Sequence, residues 1–131
     1  MLKFNNPFHL YVAENNKRVL IVDDEAMIRN VVVRIMKIKG HHAVEAESGD
    51  AALDILQSDP VFDYVILDLS MPGKMTGDDT FTYLRKNYPD LKVIISSGFI
   101  SKAQRNKYIE DGAEAILEKP YKTEQILELI V

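Results

Sequence analysis

The chain has 131 residues, a net charge of −4 and no cysteine; 47% of its residues are apolar and 27% charged. That balance fits one globular domain and excludes a disordered tail, a disulfide scaffold, a cysteine zinc site and thiol catalysis. Sixteen basic against twenty acidic residues form no basic footprint, so direct nucleic-acid binding is not expected.

Residues 1–16 carry Asn5, Asn6, Pro7 and His9 where the apolar core of a signal peptide would run, which excludes that reading. They are expected to form a leader, either flexible or packed as an arm through Phe4, Phe8, Leu10 and Val12. No stretch approaches the roughly 18 apolar residues of a membrane span. No membrane insertion and a cytoplasmic location are therefore expected. A single domain is expected over residues 17–131.

Val19-Leu20-Ile21-Val22 is short, β-branched and unbroken, as a strand buried on both faces should be. Residues 25–39 place Ile28, Val31, Val32, Ile35 and Ile38 on one broad helical face, and Gly40 closes the helix. Ala43-Val44-Glu45-Ala46 carries a charge and reads as an edge strand. Ser48 is the expected cap of a helix over 49–57 that stops before Pro60. Tyr64-Val65-Ile66-Leu67 is the third strand, and a helix over 78–88 follows with Phe81, Leu84 and Tyr88. Val93-Ile94-Ile95 is the fourth strand. A helix over 102–110, between Ser101 and Gly112, has only Ala103, Tyr108 and Ile109 as apolar residues. Loose packing is expected there, which makes it a candidate mobile element. Ala115-Ile116-Leu117 is the fifth strand, and a helix from about Thr123 carries Ile126, Leu127 and Ile130. Strands alternating with helices in this way predict an α/β fold, a single doubly wound five-stranded parallel sheet with helices on both faces.

In such a sheet ligands bind beyond the carboxyl ends of the strands. The first run ends in Asp23-Asp24-Glu25, the third in Asp68, the fourth in Ser96-Ser97-Gly98 and the fifth in Glu118-Lys119-Pro120. Acids, a hydroxyl and a lysine thus fall on one rim. Crowded carboxylates repel unless a cation sits between them or some take up protons. A hard divalent ion such as Mg²⁺ suits an oxygen donor set of this kind. A carboxylate beside that ion can act as nucleophile and form an aspartyl-phosphate. Lys119 and the Ser97 hydroxyl would offer a charge and a donor to phosphoryl oxygens.

The motifs Val19-Leu20-Ile21-Val22-Asp23-Asp24-Glu25, Asp68-Leu69-Ser70-Met71-Pro72-Gly73 with Gly77 following, Ile95-Ser96-Ser97-Gly98 and Glu118-Lys119-Pro120-Tyr121 resemble the receiver domain of two-component response regulators. The resemblance implies a flavodoxin-like strand order, 2-1-3-4-5. It implies that Asp68 is the phosphoacceptor, with Lys119 and Ser97 contacting the phosphoryl group. It implies that Asp23, Asp24, Asp68 and the backbone carbonyl of Ser70 hold Mg²⁺, with Mn²⁺ as an alternative, and that the Lys119-Pro120 bond is cis. The implied partner is a sensor histidine kinase or phosphotransfer protein, and a phosphorylation-dependent dimer is an open option. The domain would catalyse its own phosphorylation and slow dephosphorylation without turning over as an ordinary enzyme. Activation would switch the face of the fourth helix, fifth strand and fifth helix.

Two places depart from the family's pattern. Ile116 stands where an aromatic ring often swings inward, so signalling is expected to run through the loop after Ser97, past Phe99, to the loose helix. The last helix is short for the family, which suggests an excerpt of a longer protein. Rival readings fit less well. A flavin mononucleotide carrier needs a phosphate-cradling loop where Asp23-Asp24-Glu25 would repel an anion. A dehalogenase-type phosphatase needs a second acid two residues after its nucleophile, where this chain has Ser70. A receiver that only docks partners would not need the full set of acids and lysine. His41 and His42 are read as surface residues, and Met71 and Met75 as loop packing.

Overall fold

The computed structural model describes residues 16–131. The leader expected at residues 1–16 lies, apart from Asn16, outside the described residues. Strands β1 (Arg18–Val22), β2 (His42–Ala46), β3 (Tyr64–Asp68), β4 (Lys92–Ser97) and β5 (Ala115–Glu118) alternate with helices α1 (Ala26–Ile38), α2 (Gly49–Ser58), α3 (Gly77–Asn87), α4 (Lys102–Glu110) and α5 (Thr123–Leu129). The strands form one parallel sheet in the order β2-β1-β3-β4-β5. This is the expected fold, with β2 at an edge.

Alternation along each strand divides the core into two layers. Leu20 and Val22 join Val65, Leu67, Val93 and Ile95 on one face. There they pack with Ala52 and Leu56 of α2 and Phe81 and Leu84 of α3. Val19, Ile21, Ile66 and Ile94 face the other way, onto Val32, Ile35 and Met36 of α1 and Ile126 of α5. Ile116 is half-buried against the first layer.

The helix ends follow local chemistry. Ser48 caps α2 by accepting from the Ala51 N–H, and Ser101 with Gln104 forms a capping box on α4. Gly40 and Gly112 take positive φ at +84° and +105°, where a side chain would be strained. α3 begins one residue before the expected Asp78, because Thr76 and Asp79 cap each other's backbone. α4 buries none of its residues, in keeping with its sparse apolar content. His41 departs from the surface reading. It is buried, and its Nδ1 accepts from the Lys17 N–H at 3.1 Å, while His42 is exposed. Met71 is buried in the first core layer.

Candidate functional site

Every parallel strand points its carboxyl end at the same rim, so four loops deliver their first residues there. Asp23 follows β1 and is 3% exposed; Asp68 closes β3 and is 1% exposed. Asp24 and Glu25 lie exposed beside Asp23. One oxygen from each of Asp23, Asp24 and Glu25 falls within a 4.8 Å group. Lys119 follows β5 across a cis Lys119-Pro120 bond. Its backbone N–H donates to the Ser97 carbonyl at 2.8 Å, which aims the side chain along the rim.

The Lys119 side chain is 16% exposed and reaches the carboxyl ends of both β1 and β3. Its Nζ lies 3.1 Å from Asp23 Oδ2, 3.3 Å from Asp68 Oδ1 and 3.7 Å from Glu25 Oε1. Burial lowers the affinity of Lys119 for its proton, but the hydrogen bond to Asp23 and the charges of Asp68 and Asp23 outweigh it and hold the pKa above its ordinary value. Burial pushes the Asp68 carboxyl up, against the pull of the Ser70 N–H, and the Asp23 charge adds to the rise. The net picture is an acidic rim with one ammonium set into it. All-oxygen donors with surplus negative charge fit a hard divalent cation.

The other strand-end residues are placed as follows. The Ser70 N–H donates to Asp68 Oδ1 at 3.1 Å, and the Leu69 N–H donates to the Ser96 carbonyl at 3.0 Å. Ser97 is buried at the end of β4, and its hydroxyl donates to the Phe99 carbonyl at 2.8 Å rather than to Asp68. A Cβ added at Gly98 would meet nothing within 4 Å, so the space on that side of Gly98 is open. The structure therefore brings Asp23, Asp68 and Lys119 into contact, sets Asp24 beside them, and turns Ser97 toward its own loop.

Three groups to which the sequence assigned no role at the site also shape the rim. Gly77 lets α3 lie on the backbone behind Asp68. A Cβ there would stand 2.5 Å from both the Asp68 carbonyl oxygen and Leu69 Cα. Tyr121 lines a hollow of about 470 Å³ with Met27, Ile28, Val31, Val32, Lys119 and Pro120. Arg29, one turn into α1, donates to the Asp23 carbonyl at 2.7 Å and to Glu45 Oε1 at 3.0 Å. Only its spacing from Asp23 could have signalled that contact.

Known proteins resemble this chain in sequence and fold. Residues 19–131 match the family described as response regulator receiver domain. A putative response regulator NtrX-like of Rickettsia bellii is 37% identical over 113 residues, which cover 86% of this chain and 23% of that protein. The sensor kinase CckA of Brucella abortus is 35% identical over 109 residues, 82% of this chain and 11% of the kinase. The chain thus spans about a quarter or less of these two relatives. The crystal structure of a response regulator receiver domain protein from Clostridium thermocellum has a TM-score of 0.80 at 28% identity, covering 87% of this chain and 90% of that one. A match that runs through all the strands, together with a like fold, leaves one assignment: the chain belongs to the response regulator receiver domain family, and phosphorelay signalling is the process that family serves.

Proposed function

We propose that the domain at residues 17–131 accepts a phosphoryl group on Asp68 from the phosphohistidine of a sensor histidine kinase or phosphotransfer protein in the cytoplasm. The observation that carries this reading is the pair of buried carboxylates, Asp23 and Asp68, joined by Lys119 at a rim with open space beside Gly98. Both contacts of Asp68, from Ser70 and Lys119, fall on Oδ1. Oδ2 is then the oxygen that attacks. As the new O–P bond forms, the P–N bond of the donor breaks. The imidazole nitrogen keeps that electron pair and takes a proton from water. Lys119 stays charged, since its neighbours raise its pKa, and moves its attraction from Asp68 to a phosphoryl oxygen.

Asp23, Asp24, Asp68 and the Ser70 carbonyl would hold Mg²⁺, or Mn²⁺ in its place. When bound, that ion offsets the negative charge shared by the carboxylates and the phosphoryl oxygens. Met27, 80% exposed, and Val31 form an apolar face on the hollow that Lys119 also lines. A helix of the phosphodonor fits that face, because a partner seated there presents its phosphohistidine beside Asp68. Once Asp68 is modified, the Ser97 hydroxyl exchanges the Phe99 carbonyl for a phosphoryl oxygen. That releases the loop ahead of α4 and re-poises the face of α4, β5 and α5, where a phosphorylation-dependent dimer is one output. Slow attack of water on the acyl phosphate resets the site.

The test is labelling by a small phosphodonor such as phosphoramidate, with Mg²⁺ and with EDTA. The wild-type chain should gain one acid-stable, base-labile phosphoryl group only with the ion, and Asp68→Asn should gain none. Equal labelling of Asp68→Asn at the wild-type rate overturns the assignment.

A further inference from the structure

Arg29 is 15% exposed and does not reach the acceptor carboxylate. One of its two hydrogen bonds nonetheless goes to the residue that begins the acidic pair, and the other to a carboxylate on β2. Nη1 donates to the Asp23 carbonyl at 2.7 Å, and Nε donates to Glu45 Oε1 at 3.0 Å on β2. Asp23 is held on every other polar atom as well. Its N–H donates to the Ala46 carbonyl at 3.1 Å, its Oδ1 accepts from the Glu25 N–H at 2.9 Å, and its Oδ2 accepts from Lys119 at 3.1 Å. The carbonyl of Asp23 belongs to the peptide that joins it to Asp24. Whatever fixes that carbonyl fixes the rotation of the peptide, and with it the directions in which the two carboxylates leave the backbone.

A planar guanidinium suits this task because its donors stand in a fixed fork. Glu45 does two things for it. It orients the fork, and it offsets a positive charge that would otherwise compete with a cation for the acidic rim. We propose that Arg29 is a positioning residue for the Asp23–Asp24 pair, and that Glu45 sets it. The inference rests on the reading of Asp68 as a cation-dependent phosphoacceptor. It goes beyond that reading by placing control of cation affinity in two residues that do not touch the cation.

The experiment is calorimetric titration of the unphosphorylated chain with Mg²⁺, alongside phosphoramidate labelling across a range of Mg²⁺ concentrations. Arg29→Gln should weaken Mg²⁺ binding about 10-fold, the scale seen when a group that orients metal ligands is lost. The Mg²⁺ needed for half-maximal labelling should rise by the same factor, with the rate at saturating Mg²⁺ within about 2-fold of wild type. Arg29→Lys restores the charge and one donor but no fork, so it should recover less than half of the loss. Glu45→Gln should shift binding in the same direction by about 3-fold. Arg18→Gln is the structural control. Arg18 pairs with Asp59 at 2.9 Å, away from the rim at the opposite end of β1, and its loss should lower the melting temperature without moving Mg²⁺ affinity.

If wild type binds Mg²⁺ and is labelled while Arg29→Gln shows the same affinity, the positioning role is wrong and the acceptor reading stands. If Arg29→Gln does not fold, unchanged affinity in both Arg29→Lys and Glu45→Gln overturns the role equally. If wild type neither binds Mg²⁺ nor takes label, the acceptor reading falls and this inference falls with it.

Discussion

Lys119 Nζ donates to Asp23 Oδ2 at 3.1 Å across 96 residues of chain, tying the end of β5 to the end of β1. The same ammonium lies 3.3 Å from Asp68. Among the described residues it is the only cation within 4 Å of either carboxylate. Removing it leaves two nearly buried acids uncompensated. Lys119→Met should therefore lower the unfolding free energy in EDTA by about 1–3 kcal/mol, the scale for an unpaired buried polar group. Mg²⁺ should stabilise the variant more than it stabilises wild type, because the ion would offset the charge the lysine no longer does. Urea titrations with and without Mg²⁺ measure both effects. A variant as stable as wild type in EDTA would mean the carboxylates share a proton instead of needing Lys119.

Gly77 and Gly98 flank the site and should respond oppositely to alanine. A Cβ at Gly77 would press on the backbone of Asp68 and Leu69, which cannot yield as a flexible side chain can. Gly77→Ala should cost about 1–3 kcal/mol, the range for overpacking. The Gly98 Cβ would enter open space. Gly98→Ala should stay within about 0.5 kcal/mol of wild type. Thermal melts of the two variants side by side decide the matter; equal losses would contradict the close approach at Gly77.

Ser97 pins its own loop through the 2.8 Å bond to the Phe99 carbonyl. Ser97→Ala removes the bond without removing Asp68. Hydrogen exchange over residues 98–101 should then be faster in the unmodified variant than in wild type. Addition of beryllofluoride, a phosphoryl mimic, should change exchange there in wild type and leave it nearly unchanged in Ser97→Ala. An equal response in both proteins would detach the loop from the hydroxyl.

The fold was legible because strands buried on both faces leave unbroken β-branched runs, and the rim was legible because a parallel sheet brings strand ends together. Asp23, Asp68 and Lys119 needed only that rule to be found. Residues outside the rule were not legible. Arg29 reaching Glu45, Tyr108 reaching Asp78 and His41 accepting from Lys17 are pairs of side chains or backbone groups far apart in the chain. Rotamers and packing distances decide them, and no periodicity records either. The start of α3 shows a subtler loss. Thr76 and Asp79 carry the spacing of a capping box, but Gly77 between them reads as a break. Its missing side chain is instead what allows α3 to approach the backbone behind Asp68.

Tyr108 is the chief hold of α4 on the body. That helix buries no residue of its own. The Tyr108 ring meets Phe81 edge-on at 5.2 Å between centroids, and its hydroxyl donates to Asp78 Oδ1 at 2.7 Å on α3. Burial first, and then the Asp78 carboxylate, pushes the phenol well above its ordinary 10.0. The folded value lies above the unfolded one, so the stabilisation is whole below the unfolded value of 10.0 and is lost as pH rises toward and through the folded value. Tyr108→Phe should therefore cost about 1 kcal/mol at neutral pH, the net worth of one hydrogen bond. The gap between wild type and variant should narrow above pH ~10, where the unfolded phenol ionises and the folded one does not. Denaturant titrations at neutral and alkaline pH give the gap directly. The absorbance difference near 295 nm between the two proteins should show the Tyr108 phenolate forming only beyond the ordinary tyrosine range. A constant gap, or a phenolate that forms at the ordinary value, would mean that Asp78 and the Phe81 contact do not hold the hydroxyl, leaving Arg105–Glu118 as the remaining side-chain tie of α4 to β5.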